Sequence, residues 1–155
     1  MENIKKTKKF IFTSPLQPDS MLKEVTYESK NIESKNNLIT RFPIMAVINA
    51  YAEENETIEI ITVLTEYGNA KINYEKFKEQ AKELSETKNF KYNLTEIPTL
   101  YDESIGIQKK LYADLITEIG DKEIIYADIT YGTKPHAVVK YMALNYAYKN
   151  RKKRI

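Results

Sequence analysis

Cysteine and tryptophan are absent from all 155 residues, histidine occurs once, as His136, and glycine four times. Without cysteine there is no disulfide framework, no thiolate nucleophile and no cysteine zinc site. A lone histidine excludes an HExxH pair and any multi-histidine metal centre. The sequence holds no GxxxxGK[ST] phosphate loop and no GxGxxG dinucleotide fingerprint. No apolar run approaches the ~20 residues that span a bilayer. The basic start "MENIKKTKKFIFTSP" has an apolar stretch too short for a signal-peptide core. The expectation is a cytoplasmic protein with no membrane partner.

What is present suits a soluble domain: 42% of residues are hydrophobic and 30% charged, enough for one real core over residues 1–155. The net charge of +2 is unevenly spread. Lys5, Lys6, Lys8 and Lys9 crowd one end, and Lys149, Arg151, Lys152, Lys153 and Arg154 the other, leaving the body acidic. An acidic body excludes a broad duplex-binding face, so no long nucleic acid is expected as a partner. The tail "KNRKKRI" reads as a solvated helix end favoured by the helix dipole.

Apolar β-branched and aromatic runs predict four strands: "KFIFT" (9–13), "TIEIITVLT" (57–65), "KYNLTEIP" (91–98) and "KEIIYADIT" (122–130). A small excursion strand is expected in "LKEVTY". Helical spacing predicts helices between them. One begins at Pro43, with Ile44, Val47, Ile48 and Tyr51 in step. A second has Asn73 as N-cap and a stripe of Tyr74, Phe77, Ala81 and Leu84. A third is capped by Asp102 and repeats through Ile107, Leu111 and Leu115. The last carries Val138, Val139, Met142, Ala143, Tyr146 and Ala147 on one face. Alternating strands and helices imply an α/β single domain, a parallel sheet with helices on both faces.

Such sheets gather ligands beyond the carboxyl ends of their strands. The segments delivered there are Thr13-Ser14-Pro15, Thr65 to Gly68, Pro98 to Ser104, and Thr130 to Lys134, rich in hydroxyls and tyrosines. In "ADITYGTKPHAV", Gly132 permits a backbone conformation closed to other residues. Thr133 can cap the helix that follows, whose first N–H groups form an anion site, and Lys134 adds a full positive charge. An ordinary capped helix with a solvated lysine explains the same residues equally well. Ser14 is either a turn residue before proline or a ligand contact. The rings of Tyr67, Tyr101 and Tyr131 can stack on unpaired bases. Asp128 reads as a structural residue ordering the loop, and His136 as a helix-start or dimer-contact residue rather than part of a triad.

"IIYADITYGTKPHAVVKYMALNYAY" resembles the second motif of CARF domains, the CRISPR-associated Rossmann-like modules, and "KFIFTSPL" resembles their first. The resemblance extends over most of the chain and implies a Rossmann-like fold. It also implies a homodimer that binds a cyclic oligoadenylate, a second messenger of type III CRISPR defence, across its two-fold axis. Ligand contacts would then come from Thr13, Ser14, Thr130, Gly132, Thr133 and Lys134, with Thr65, Tyr67, Tyr101 and Tyr131 added from the same rim. Some relatives cleave the ring without metal or cofactor, by attack of a ribose 2′-hydroxyl on the neighbouring phosphate. In such a ring nuclease Ser14 and Lys134 would be the catalytic pair. The alternative is a sensor that binds without chemistry and acts through a partner or effector. A third reading is an unrelated Rossmann-like domain for another nucleotide or anion. Many members of the family carry a C-terminal effector and a further strand, whereas this sequence stops at Ile155, and it contains no RxxxxH ribonuclease motif.

Overall fold

The computed structural model describes residues 7–27, 38–120 and 123–151. Four parallel strands, β1 (Thr7–Thr13), β4 (Thr57–Thr65), β5 (Lys91–Thr99) and β6 (Glu123–Ala127), form one sheet in the order β5-β4-β1-β6. Two short strands, β2 (Val25–Thr26) and β3 (Ile39–Thr40), pair antiparallel outside it. The helices are α1 (Pro43–Tyr51), α2 (Ala70–Lys88), α3 (Ile105–Glu118) and α4 (Lys134–Arg151). The chain has a Rossmann-like α/β architecture. The sheet grows outward from β1 through β4 to β5, then reverses and places β6 on the other side, so the switch point lies between β1 and β6.

Each apolar run becomes a strand because its side chains are needed on both faces of the sheet. In β1, Phe10 and Phe12 point to the face covered by α1 and α2, where Phe12 lies 4.3 Å from the Phe77 ring between centroids. Ile11 points to the opposite face and packs with Ile61, Val63, Leu111, Leu115 and Ala143 beneath α3 and α4. The alternation of a strand thus sends Phe10 and Phe12 to one core and Ile11 to the other. At the amino end, the buried Lys9 ammonium joins Glu59 and Glu123 at 3.2 and 3.1 Å and reaches the Glu118 carbonyl. It ties β1, β4, β6 and the end of α3 together.

Several boundaries differ from expectation for identifiable reasons. Asn73 is not an N-cap, because α2 starts at Ala70. Its buried amide instead donates to the Pro15 and Gln17 carbonyls, at 2.8 and 2.9 Å, and holds the chain leaving β1. Asp102 does not cap α3 either; Ser104 occupies that position, and Asp102 accepts from the Ser104 N–H at 2.8 Å. β6 ends at Ala127, since the Asp128 side chain turns back on Thr130. The expected face of α4 splits: Val139, Ala143 and Ala147 are buried, whereas Val138, Met142 and Tyr146 are exposed. The excursion strand amounts to Val25 and Thr26. Residues 152–154 of the basic tail, and Lys5 and Lys6 at the other end, lie outside the described residues. Among the described residues no helix is long and apolar enough to cross a membrane.

Candidate functional site

The loops after β1 and β6 meet at the switch point. The Asp128 N–H continues the ladder by donating to the Ile11 carbonyl at 2.8 Å, and its carboxylate accepts from both the N–H and the hydroxyl of Thr130. This local ring is a compact aspartate turn, the ordering role expected of that residue. The chain then passes through Gly132 at φ +104°, a region that glycine tolerates and other residues avoid. A Cβ here would stand 3.2 Å from Thr13 Cγ2, so the second loop rests directly on the end of β1. Thr133 Oγ1 then accepts from the His136 N–H at 3.4 Å, a long capping contact, and α4 begins. As at any helix start, the first amides lack intrahelical partners. The exposed Lys134 sits beside them.

Beneath this loop lies a lysine that the sequence pattern does not single out. Lys140 is 1% exposed. Its ammonium donates to Thr13 Oγ1 at 2.7 Å, to the Asp128 carbonyl at 3.1 Å and to the Tyr131 carbonyl at 3.5 Å. All three acceptors are uncharged. Burial pushes its pKa down to about 8, with the nearby Asp128 charge acting in the opposite direction. His136, equally buried, is held below its ordinary value by burial and then by Lys140, against a smaller opposing effect of Glu103. Its Nδ1 has no hydrogen-bond partner among the described residues.

The expected site residues fall into three groups. Thr130, Gly132 and Lys134 are exposed at the rim, with Thr133 half-buried beside them. Thr13 is buried under them as the acceptor for Lys140. Tyr131 is half-buried and its hydroxyl donates to the Arg41 carbonyl at 3.0 Å, so the ring ties the loop to the segment before α1 instead of standing free for a base. The second group contains Ser14, where the expectation of a rim hydroxyl is not met. Ser14 is 0% exposed and its hydroxyl donates to the Ala70 carbonyl at 2.6 Å, at the start of α2. The cause is the strand alternation: Thr13 faces α4, so the next residue must face α2.

The third group stands at the β4 and β5 ends. Thr65 is buried and its Oγ1 has no partner among the described residues, so it offers nothing to the rim. Tyr67 and Tyr101 are both exposed and stack on each other, centroids 4.0 Å apart and planes 12° apart. Each has one face occupied by the other ring, which leaves only the outer faces for a ligand. Nearby, a cavity of about 220 Å³ is lined by Glu66, Thr99, Leu100, Ile107 and Lys110.

The loop after β1 runs beside the loop after β4, since Asn69 N–H donates to the Leu16 carbonyl at 3.2 Å. Asn73 fixes the same loop from below, and Asn73→Ala is expected to lower stability by about 2 kcal/mol, the loss of one buried and one part-buried hydrogen bond. Urea unfolding of the two proteins measures this directly.

Compared with known proteins, the chain matches no family model, no curated sequence and no solved structure. Among the described residues, no cluster of three or more acidic, histidine or cysteine side chains is arranged to hold a metal ion.

Proposed function

We propose that this chain is a homodimeric receptor for a cyclic oligoadenylate, whose phosphates sit on the loop Thr130–Lys134 of each subunit. The observation that carries the reading is the close seating of that loop on β1: Gly132 against Thr13, with the start of α4 and the exposed Lys134 at the same rim. Backbone amides and one mobile cation suit a phosphodiester, which carries a single charge spread over two oxygens. The sequence resemblance supplies the ring, and the outer faces of Tyr67 and Tyr101 are available for its bases.

A second copy has a face to meet. On α4, Val138, Tyr141 and Met142 are exposed at the spacing of one helix face, and Ile105 of α3 lines a groove with Met142. Two subunits joined there would repeat each loop about a two-fold axis, as a symmetric ring requires.

Binding without chemistry is favoured by the inward hydroxyl of Ser14, which removes one half of the expected catalytic pair from the rim. Ring cleavage is the second reading, and it rests on Lys134 alone. In that reaction the 2′-hydroxyl gives its proton to water as its oxygen bonds to phosphorus, the P–O5′ bond breaks, the 5′-oxygen takes a proton from water, and Lys134 stabilises the charge on the phosphoryl oxygens. The product is a linear chain ending in a 2′,3′-cyclic phosphate. Without a serine to position the ribose, turnover should be slow.

Incubation with cyclic tetra- and hexa-adenylate, followed by melting temperature, light scattering and product analysis, tests the proposal. A raised melting temperature and a dimer mass support the receptor, and product formation adds the nuclease. Lys134→Ala should weaken binding roughly tenfold, the contribution of one charge-assisted contact. A monomer that ignores both rings would refute the reading.

A further inference from the structure

We propose that Lys140 is a positioning residue of this site, whose buried ammonium clamps the first loop to the second and takes the bound anion as its missing counter-charge. The inference rests on the phosphate reading of the loop, but its first half concerns the free protein and is testable without any ligand.

Three observations carry it. The ammonium spends its donors on oxygens from three places: the end of β1 (Thr13), the end of β6 (Asp128) and the loop itself (Tyr131). No other described side chain bridges those segments at the switch point. The cation is also almost fully buried without a carboxylate in contact, whereas buried charges are ordinarily paired. By comparison, Lys9 at the other end of the same sheet touches two carboxylates. Finally, the loop above Lys140 presents an exposed glycine at positive φ and the first turn of a helix, a place where an anion can approach closely.

The charged and titratable groups around it are few. Asp128 acts from the end of β6 with its carboxylate engaged by Thr130, and β1 contributes the neutral Thr13. His136 lies on α4 itself, Tyr131 on the loop, and Tyr27, just after β2, acts on Asp128 and Tyr131. On the α3 side Glu103 and Lys109 line a groove with Val139 and Met142. None of these contacts the ammonium as an anion, so an arriving phosphate would be the first negative charge placed over it from the solvent side.

Since burial lowers the Lys140 pKa to about 8, an anion that favours the charged form should raise it and so draw a proton from solution on binding. Above pH 8 binding should therefore take up protons, at most one per subunit through this group, and below pH 7 the uptake through it should vanish.

The experiment observes lysine side-chain NMR signals through a pH titration, alone and with inorganic phosphate or cyclic tetra-adenylate. Amide exchange of the free protein is measured alongside. In the free protein one lysine should titrate near pH 8, and Lys140→Met should remove that signal. The Met variant should also speed exchange at residues 13, 14 and 128–132, by tenfold or more, and leave β4 and β5 untouched. Should that variant not fold, Thr13→Val deletes one acceptor at constant shape and is expected to lower the Lys140 titration further.

Unchanged exchange at both loops would overturn the clamp. An unmoved Lys140 titration with both anions present would overturn the counter-charge. Movement with phosphate but no binding of cyclic tetra-adenylate would support this inference and refute the proposed ligand.

Discussion

Raising the pH from 7 to 10 should stabilise the folded chain through Lys140 by roughly 2 to 3 kcal/mol. The sign follows from its pKa, lowered from the ordinary 10.5 to about 8 in the folded state. Below pH 8 both folded and unfolded chains carry the proton, and the fold bears the full burden of a buried charge. Between 8 and 10.5 the folded chain releases the proton while the unfolded chain keeps it, so stability rises with pH. Lys88, lowered by burial and by Lys8, adds in the same direction. Tyr74 opposes it only near and above pH 10, because burial raises its phenol to about 12 while the unfolded phenol ionises near 10. His136, held low by burial, has its effect below pH 7, where stability should fall with acid. Urea unfolding of wild type and Lys140→Met across this range isolates the lysine. The Lys140 share of the gain should be absent from the variant, which keeps only the contribution of Lys88, and equal slopes in the two proteins would contradict the assignment.

Gly132→Ala should cost about 2 to 3 kcal/mol and abolish detectable binding of any anion at the loop. Its φ of +104° lies outside what an alanine adopts without strain. The added Cβ would press to 3.2 Å from Thr13 Cγ2, and Thr13 cannot retreat because Lys140 holds its hydroxyl. The loop must therefore lift, carrying Tyr131 and its carbonyl away from the ammonium. Calorimetry with cyclic tetra-adenylate and chemical unfolding read the two effects separately. An alanine variant with wild-type stability and affinity would mean that the loop is not seated as described.

The layers of the fold were legible because each strand had its own run of β-branched or aromatic residues. The 57–65 run coincides with β4 to the residue. The rim was legible as well, since a parallel sheet delivers the end of every strand to one edge. Which hydroxyl faces the loop was not. Thr13 and Ser14 are adjacent, and only the packing of β1 between two helical layers decides which of them meets α4.

Lys140 was hidden by chemistry rather than by spacing. It stands four residues after His136 and three before Ala143, on the buried stripe of α4, but a lysine in a helix normally reads as a solvent-facing charge. The small Ala143 and Ala147 on that stripe were the available hint. Tyr67 and Tyr101 lie stacked on each other, yet nothing in the sequence announces that two exposed rings prefer each other.

The outer border of the sheet has a consequence for how copies of this protein meet. β5, nine residues long, borders the sheet on one side with a largely open row of residues, a template on which a stray chain would extend the ladder. Lys91 and Glu96 place charge along it, and Pro98, near its end, has no N–H to give. Those guards discourage edge-to-edge growth into fibres. The dimer proposed above, built on the outer side of the last helix, would then face no competing contact along this edge.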